Sequence, residues 1–360
     1  MAGCLPFRST EYFSSLILDY IEKKQELTPF YNRFPSIENF EFQMEEKSNN
    51  YNHNIRNTLV DVLNKQYKNL AISESTQFHI DSLKDNHTYT VTTGHQLNLF
   101  TGPLYFLYKI VSTINLAKQL KEKYPKHNFV PIYWMASEDH DFDEINYFNF
   151  KQKKIEWNQE SKGAVGHLST QGLEELAKVI EEEFGKSEHA EYLKGLFKVA
   201  YLEHDTLGSA TQFLANALFG SHGLVVLDAD DAQLKSEFSP YIKNDLLHNT
   251  ASLHTEKQAN KLADLGYAIQ VNPREINLFY MHDGIRQRIV RKHDIFHVID
   301  TDLKFTETEI LNLVNRHPER FSPNVVMRPL YQEVILPNLA YIGGGGELAY
   351  WLELKTFFQA

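Results

Sequence analysis

Residues Ser137 to Glu144 carry five carboxylates and an imidazole: Glu138, Asp139, Asp141, Asp143 and Glu144 around His140. Charges of one sign so close together are costly unless a cation, an amine or nearby arginines offset them. A solvated acidic loop is the usual origin of such a run. This one, however, follows directly on Trp134-Met135-Ala136, the end of an apolar stretch, and open α/β sheets bind ligands just beyond such strand ends. Three kinds of chemistry are then open: capture of a substrate ammonium, retention of Mg²⁺ by one or two carboxylates, or general-base work by His140 beside Asp139 and Asp141. Too few further histidines stand at ligand spacing for a zinc site, and no metal site is assigned.

Two glycine-bearing loops offer complementary groups. Thr92-Thr93-Gly94-His95-Gln96-Leu97-Asn98 leads through Gly102-Pro103 into a helix start. Free N–H groups and the positive helix end would make it an anion or phosphate cradle, with His95, Gln96 and Asn98 as hydrogen-bonding groups. The second loop is Tyr341-Ile342-Gly343-Gly344-Gly345-Gly346-Glu347. Four successive glycines weaken a fold, so they are read as a close backbone approach to a ligand, with Glu347 capping the helix or meeting a substrate hydroxyl. Asn324 and Arg328 can bring an amide and a fixed positive charge to the same mouth, the guanidinium suiting a carboxylate or phosphate. With Trp134 and Glu138 at the intervening strand end, these positions are the expected binding set: Thr93, Gly94, His95, Gln96, Asn98, Gly102, Trp134, Glu138, Asn324, Arg328, Gly343, Gly344 and Glu347. Walker A, GxGxxG and GxSxG patterns do not occur, which argues against P-loop ATPases, ordinary NAD enzymes and serine hydrolases.

The elements that must hold these loops are legible in part. Tyr89 to Thr93 is β-branched and alternating and stops at Gly94; Pro103 opens a helix over 104–123, with Thr101 able to cap it. Phe129 to Ala136 is nearly continuous apolar sequence, as in a strand covered on both faces. Together they form a βαβ unit. Residues 1–80 read as helical, with Tyr12, Leu16, Leu18, Tyr20 and Ile21 at roughly helical spacing after Ser9 and Thr10, and a second amphipathic stretch at Ile55 to Tyr67. The expected organisation is an N-terminal helical segment over 1–80, the first half of an α/β, Rossmann-like core with a parallel sheet over 81–150, and a mainly helical insertion over 151–220. A core strand and loop follow over 221–240, then a second insertion over 241–320. There Ala268 to Val271 and Ile276 to Met281 alternate, and an Asp283-Gly284 turn closes a hairpin. The end of the core occupies 321–360. The last helix, Glu347 to Phe358, reaches Ala360 without a glycine cap and with several large apolar groups, so the chain is read as truncated.

The 360 residues are 42% apolar, enough for one large core with insertions. No run approaches the ~20 apolar residues of a membrane span, and no secretory signal precedes the first helix, so a cytoplasmic enzyme is expected. The single cysteine, Cys4, permits no internal disulfide and is read as a small apolar residue of the terminus. A net charge of −11 without a basic run disfavours nucleic-acid binding.

Taken jointly, several blocks resemble the bacillithiol cysteine-adding enzyme family. They are Thr93-Gly94-His95-Gln96, Leu99 to Tyr105 with Tyr108-Lys109, Trp134 to Asp141, Ser322-Pro323-Asn324-Val325 with Arg328-Pro329, and Ala340 to Gly344 through Gly346-Glu347 to Trp351. The resemblance spans essentially the whole chain. It implies a Rossmann core akin to class I aminoacyl-tRNA synthetases, with helical and β-hairpin connecting insertions and a C-terminal coiled-coil arm, absent here, that supports a homodimer. The implied activity is a ligase reaction joining cysteine to the amine of glucosaminyl malate. ATP is the expected activator, with Mg²⁺ as its companion, and His140, Asp139 and Asp141 are the expected catalytic residues. A metal-assisted hydrolase using the 137–144 loop and a non-catalytic sugar-malate binding module are the alternatives.

Overall fold

The computed structural model describes residues 4–360. Its strands, in chain order, are β1 Thr88–His95, β2 Asn128–Met135, β3 Tyr147–Phe150, β4 Lys153–Glu156, β5 Val225–Asp228, β6 Leu278–His282, β7 Ile285–Lys292, β8 Ile295–Val298, β9 Lys304–Thr306, β10 Phe321–Pro323 and β11 Asn338–Tyr341. Four of them form a parallel sheet in the order β11-β1-β2-β5. Its central strands are buried almost throughout, which is why β2 is continuously apolar. The buried threonines of β1 find partners inside the sheet: the Thr90 and Thr92 hydroxyls donate to Asn338 Oδ1 on β11 at 3.2 and 2.8 Å.

The expected βαβ unit is present. Helix Leu104–Lys123 joins β1 to β2 and buries Phe106, Lys109, Ile110, Thr113, Ile114, Ala117 and Leu120 against them. Thr101 does not cap it; its backbone turns left-handed (φ 71°), and Pro103 takes the cap position itself. Strands β1, β2 and β5 are added in one direction, then β11 is laid on the other flank of β1. The chain order therefore reverses between β11 and β1, the place where open α/β sheets hold their ligands.

A second, antiparallel sheet has the order β10-β6-β7-β8-β9. The hairpin β6–β7 turns at Asp283-Gly284, both with positive φ, as its sequence predicts. Several boundaries differ from expectation. The β3–β4 hairpin crosses residue 150 and helix Ala232–His248 crosses residue 240, with Pro240 inside it. Phe321–Pro323 pairs with β6 and so belongs to the second sheet, not to the parallel core. Ala268 to Val271 forms no strand: the buried Glu353 carboxylate accepts the N–H groups of Gln270 (2.7 Å) and Val271 (3.3 Å), taking the place of a strand partner.

The ends also depart from expectation. The first α-helix begins at Ser15, past Ser9 and Thr10, and Tyr12 is exposed. The last helix divides into Gly345–Trp351 and Lys355–Phe358. Its apolar groups are not left open, because Leu352, Leu354 and Phe357 are buried. Among the described residues no helix is long and apolar enough to cross a membrane.

Candidate functional site

The parallel register sets the strand ends side by side: Thr92 opposite Tyr341, His95 opposite Met135, and Met135 opposite Asp228. Over the β11–β1 junction opens a cleft of about 490 Å³. Lys109 sits at its base, one turn into helix Leu104–Lys123 and only 5% exposed. Its ammonium donates to Glu347 Oε2 at 2.6 Å and to the Gly94 carbonyl. Glu347 also accepts from the Tyr341 hydroxyl (2.6 Å) and the Gly344 N–H (2.9 Å). Burial alone would raise the Glu347 carboxyl; Lys109 and these hydrogen bonds hold it below the usual range. Burial likewise lowers Lys109, against the pull of Glu347. His95 beside them is pushed down to about 4 by burial and by Lys109, so it is neutral in ordinary buffers. Among the described residues no side chain caps helix Leu104–Lys123; the Phe106 N–H turns back to the Pro103 carbonyl at 3.0 Å, which leaves the Leu104 and Tyr105 N–H groups for an anionic group at the cleft edge. Asn98 is buried on the same lining, its Oδ1 without a partner among the described residues.

The acidic loop lies one strand further on, beyond β2, and is tightly held. Lys235, fully buried on helix Ala232–His248, reaches Glu138 (2.5 Å) and Asp230 (2.7 Å). Burial pushes the Glu138 carboxyl up against the pull of Lys235, whereas at Asp230 Lys235 and His167 outweigh burial and bring the carboxyl down to about 2. Ser137 Oγ donates to Asp228 at the end of β5. Backbone N–H groups of Val165 and Gly166 donate to the Asp139 and Ser137 carbonyls, each at 2.7 Å. Arg286 of β7 reaches His140 Nδ1 at 2.6 Å. Loop and cleft are joined by Gln96, whose amide donates to Asp139 (3.1 Å) and to Glu144 on the cleft rim (2.8 Å).

Residues 2–360 match the family described as bacillithiol biosynthesis BshC, N-terminal Rossmann-like domain. The chain is similar to proteins named "Putative cysteine ligase BshC" from three bacteria. Identity is 60% over 357 residues for Flavobacterium psychrophilum, 57% over 362 for Christiangramia forsetii and 56% over 357 for Flavobacterium johnsoniae. Each match covers 99% of this chain and 67% of the relative. The chain belongs to the BshC family.

Of the positions expected in this BshC domain, Gly94, His95, Gln96, Asn98, Gly102 and Glu347 line the cleft. Asp139, His140 and Asp141 stay together on the neighbouring loop, and Glu138 is turned to Lys235. Others lie elsewhere. Trp134 is buried edge-on against Tyr331, a consequence of a strand covered on both faces. Thr93 donates to the Ile342 carbonyl inside the sheet. Asn324 Oδ1 accepts from Val326 and Met327 N–H at a helix start. Arg328 packs over the Tyr341 ring and donates to Gln332, outside the cleft lining. The close approach at the glycines is made by a side chain: a Cβ on Gly344 would stand 1.5 Å from the Tyr105 hydroxyl.

Sequence reasoning assigned no role to Lys109, Tyr105, Tyr341, Lys235 or Arg286. Two of them left a signal: Lys109 falls between Phe106, Ile110 and Thr113, and Lys235 beside Leu234 and Phe238, lysines on buried helix faces. The trio Asp139, His140 and Asp141 has ligand atoms within 4.8 Å of one another. Yet Nδ1 of the histidine faces a guanidinium, which is already the cation of the site, so this donor set does not fit a metal ion.

Proposed function

We propose that this chain carries the catalytic core of a carbon–nitrogen ligase that joins the carboxyl of cysteine to the amine of glucosaminyl malate, in the cytoplasm, through a nucleotide-activated carboxylate. The observation that carries the reading is the bridge of Gln96 between Asp139 and Glu144, which makes the cleft and the acidic loop one continuous surface. Joining an acid to an amine needs such a surface: a seat for one partner and, beside it, carboxylates to draw in an ammonium and take its proton. The name borne by the relatives, cysteine ligase, supplies the reaction class.

The cleft fits a polar, partly aromatic ligand with a single anionic group. Tyr105, Tyr147 and Phe148 offer ring surface, Gln96, Asn98 and Asn149 offer amides, and the uncapped helix end suits one carboxylate or phosphate. A whole triphosphate finds no free guanidinium here, since Arg328 is outside the lining, and Lys109 is already paired. ATP as activator is therefore proposed on the reaction's need for a leaving group: the cysteine carboxylate displaces pyrophosphate, and the sugar amine then displaces AMP. Asp139 and Asp141 are the proposed bases for that amine.

The test is an assay of the purified protein with cysteine, glucosaminyl malate and each nucleoside triphosphate, following the amide product by mass and AMP release. Product that depends on both substrates and one nucleotide is expected; no product with any nucleotide would sink the ligase reading. Asp141→Asn and Asp139→Asn should each lower kcat by about 10²-fold or more with the fold intact. Turnover at the wild-type level in both would remove the acidic loop from the chemistry.

A further inference from the structure

We infer that Arg286 is a positioning residue that holds His140 as its Nε2–H tautomer, so that His140 meets substrate as a hydrogen-bond donor and not as a base. Arg286 is 9% exposed on β7 and crosses from the second sheet to the acidic loop. Its guanidinium is fixed on three sides. Nε donates to Ser322 Oγ at 3.2 Å, the plane lies 4.0 Å over the Phe279 ring, and Nη1 stands 2.6 Å from His140 Nδ1. A guanidinium has donors only and keeps its charge in proteins, so at this contact Nδ1 must supply the lone pair. The one ring hydrogen of the neutral imidazole is then on Nε2. For Nε2 to take a proton from a substrate, Nδ1 would need its own hydrogen, aimed at an N–H.

The surroundings of His140 agree with a donor. The groups facing it are Asp139 and Asp141 on its own loop, and Arg286 and Phe279 from the second sheet. Asp139 Oδ1 is engaged by the His140 backbone N–H at 2.8 Å. Nε2 lies 3.9 Å from Asp141 Oδ1, beyond a direct hydrogen bond, so the Nε2–H is open to an oxygen of the ligand. Burial and the nearby Asp139 raise the Asp141 carboxyl, which suits it to take a proton. Under the ligase reading, the oxygen met by His140 is the acyl oxygen that gains charge as the amine attacks. That identity rests on the reading; the tautomer does not.

The tautomer can be read without turnover. The intact protein would be labelled with ¹⁵N-histidine and its ring nitrogens followed by long-range proton–nitrogen correlation at neutral pH, with His140→Gln identifying the resonances. The expected spectrum has a bare Nδ1 and a protonated Nε2 for His140, with a roughly tenfold or greater excess of that form, as a charge-assisted hydrogen bond sustains. In Arg286→Met, which keeps the stem and loses the fork, the two tautomers should mix. A proton on Nδ1 in the unsubstituted protein overturns the inference, and that spectrum decides alone if Arg286→Met fails to fold. A folded Arg286→Met with an unchanged tautomer ratio overturns it as well. Neither outcome touches the ligase reading, which is decided by product formation.

Discussion

Lys109 and Glu347 are charges the core would reject singly. Each is held by the other: the ammonium has two acceptors, the Gly94 carbonyl and Glu347, and the carboxylate has three donors. Such a pair adds little stability as a whole, but removal of one partner leaves the other desolvated and unpaired. Lys109→Met should therefore destabilise the protein by about 2–3 kcal/mol, somewhat under the range for a fully buried pair because a quarter of the Glu347 side chain is exposed. Glu347→Gln in the same background should return more than half of that loss. Urea unfolding of the two single variants and the double variant measures both effects; a Lys109→Met loss below about 0.5 kcal/mol would mean the pair is solvated. Residues of this kind were half legible in the sequence. A lysine on an apolar helix face announces a buried partner without naming it, and Glu347 follows 238 positions later. Arg286 gave no such sign, because in the polar run Arg286-Gln287-Arg288 an arginine reads as part of a solvated strand.

At the scale of elements, the acidic loop is placed by parts of the chain that lie far from it in sequence. The turn Val165–His167 docks its backbone on Ser137 and Asp139, Lys235 holds Glu138 from a core helix, and Arg286 holds His140 from the second sheet. The first of these clasps has no slack. A Cβ on Gly166 would stand 2.6 Å from the Ser137 Cβ and 2.9 Å from its carbonyl oxygen. Gly166→Ala should push the turn off the loop and cost about 1–3 kcal/mol, read as a lower thermal midpoint together with faster hydrogen exchange at the Val165 and residue 166 amides. Unchanged exchange there would show that the loop stands without the clasp. The loop itself, the β1–helix–β2 unit before it and the β6–β7 hairpin were all readable from composition and turn residues. Their mutual arrangement was not. A three-residue strand such as β10 carries no periodicity to read, and its pairing with β6 is decided by tertiary packing. The cap was misplaced for a similar reason: Thr101 is a good capping residue, but its left-handed backbone points the chain elsewhere.

For the whole molecule, the segments that sequence reading separates into core and insertions share one apolar cluster. It runs from Leu63 in the N-terminal helices and Tyr133 in the core through Ile180 and Phe197 in the first insertion to Tyr280 and Phe296 in the second sheet. A continuous core predicts a single unfolding transition, seen alike by far-ultraviolet circular dichroism and tryptophan fluorescence. Asp245 should then act on the stability of the entire fold. It is 2% exposed on helix Ala232–His248, and its Oδ2 accepts the Asn277 N–H at 2.7 Å, just before β6. Burial raises its carboxyl from 3.8 to about 6, against the pull of these hydrogen bonds. Between those values the folded state keeps a proton the unfolded chain has released. The contribution of Asp245 is thus complete at low pH, falls as pH rises through about 4 to 6, and is lost above that, by about 3 kcal/mol. Asp245→Asn can still accept the Asn277 N–H and cannot titrate. Acids with lowered values, such as Glu347 and Asp230, slope the other way, so the quantity to measure is the difference between the two proteins. Urea unfolding from pH 4 to 7 should show stability rising in Asp245→Asn relative to the unsubstituted protein across this window. Parallel curves would place the Asp245 carboxylate in contact with water, and two separated transitions would divide the core that joins it to both sheets.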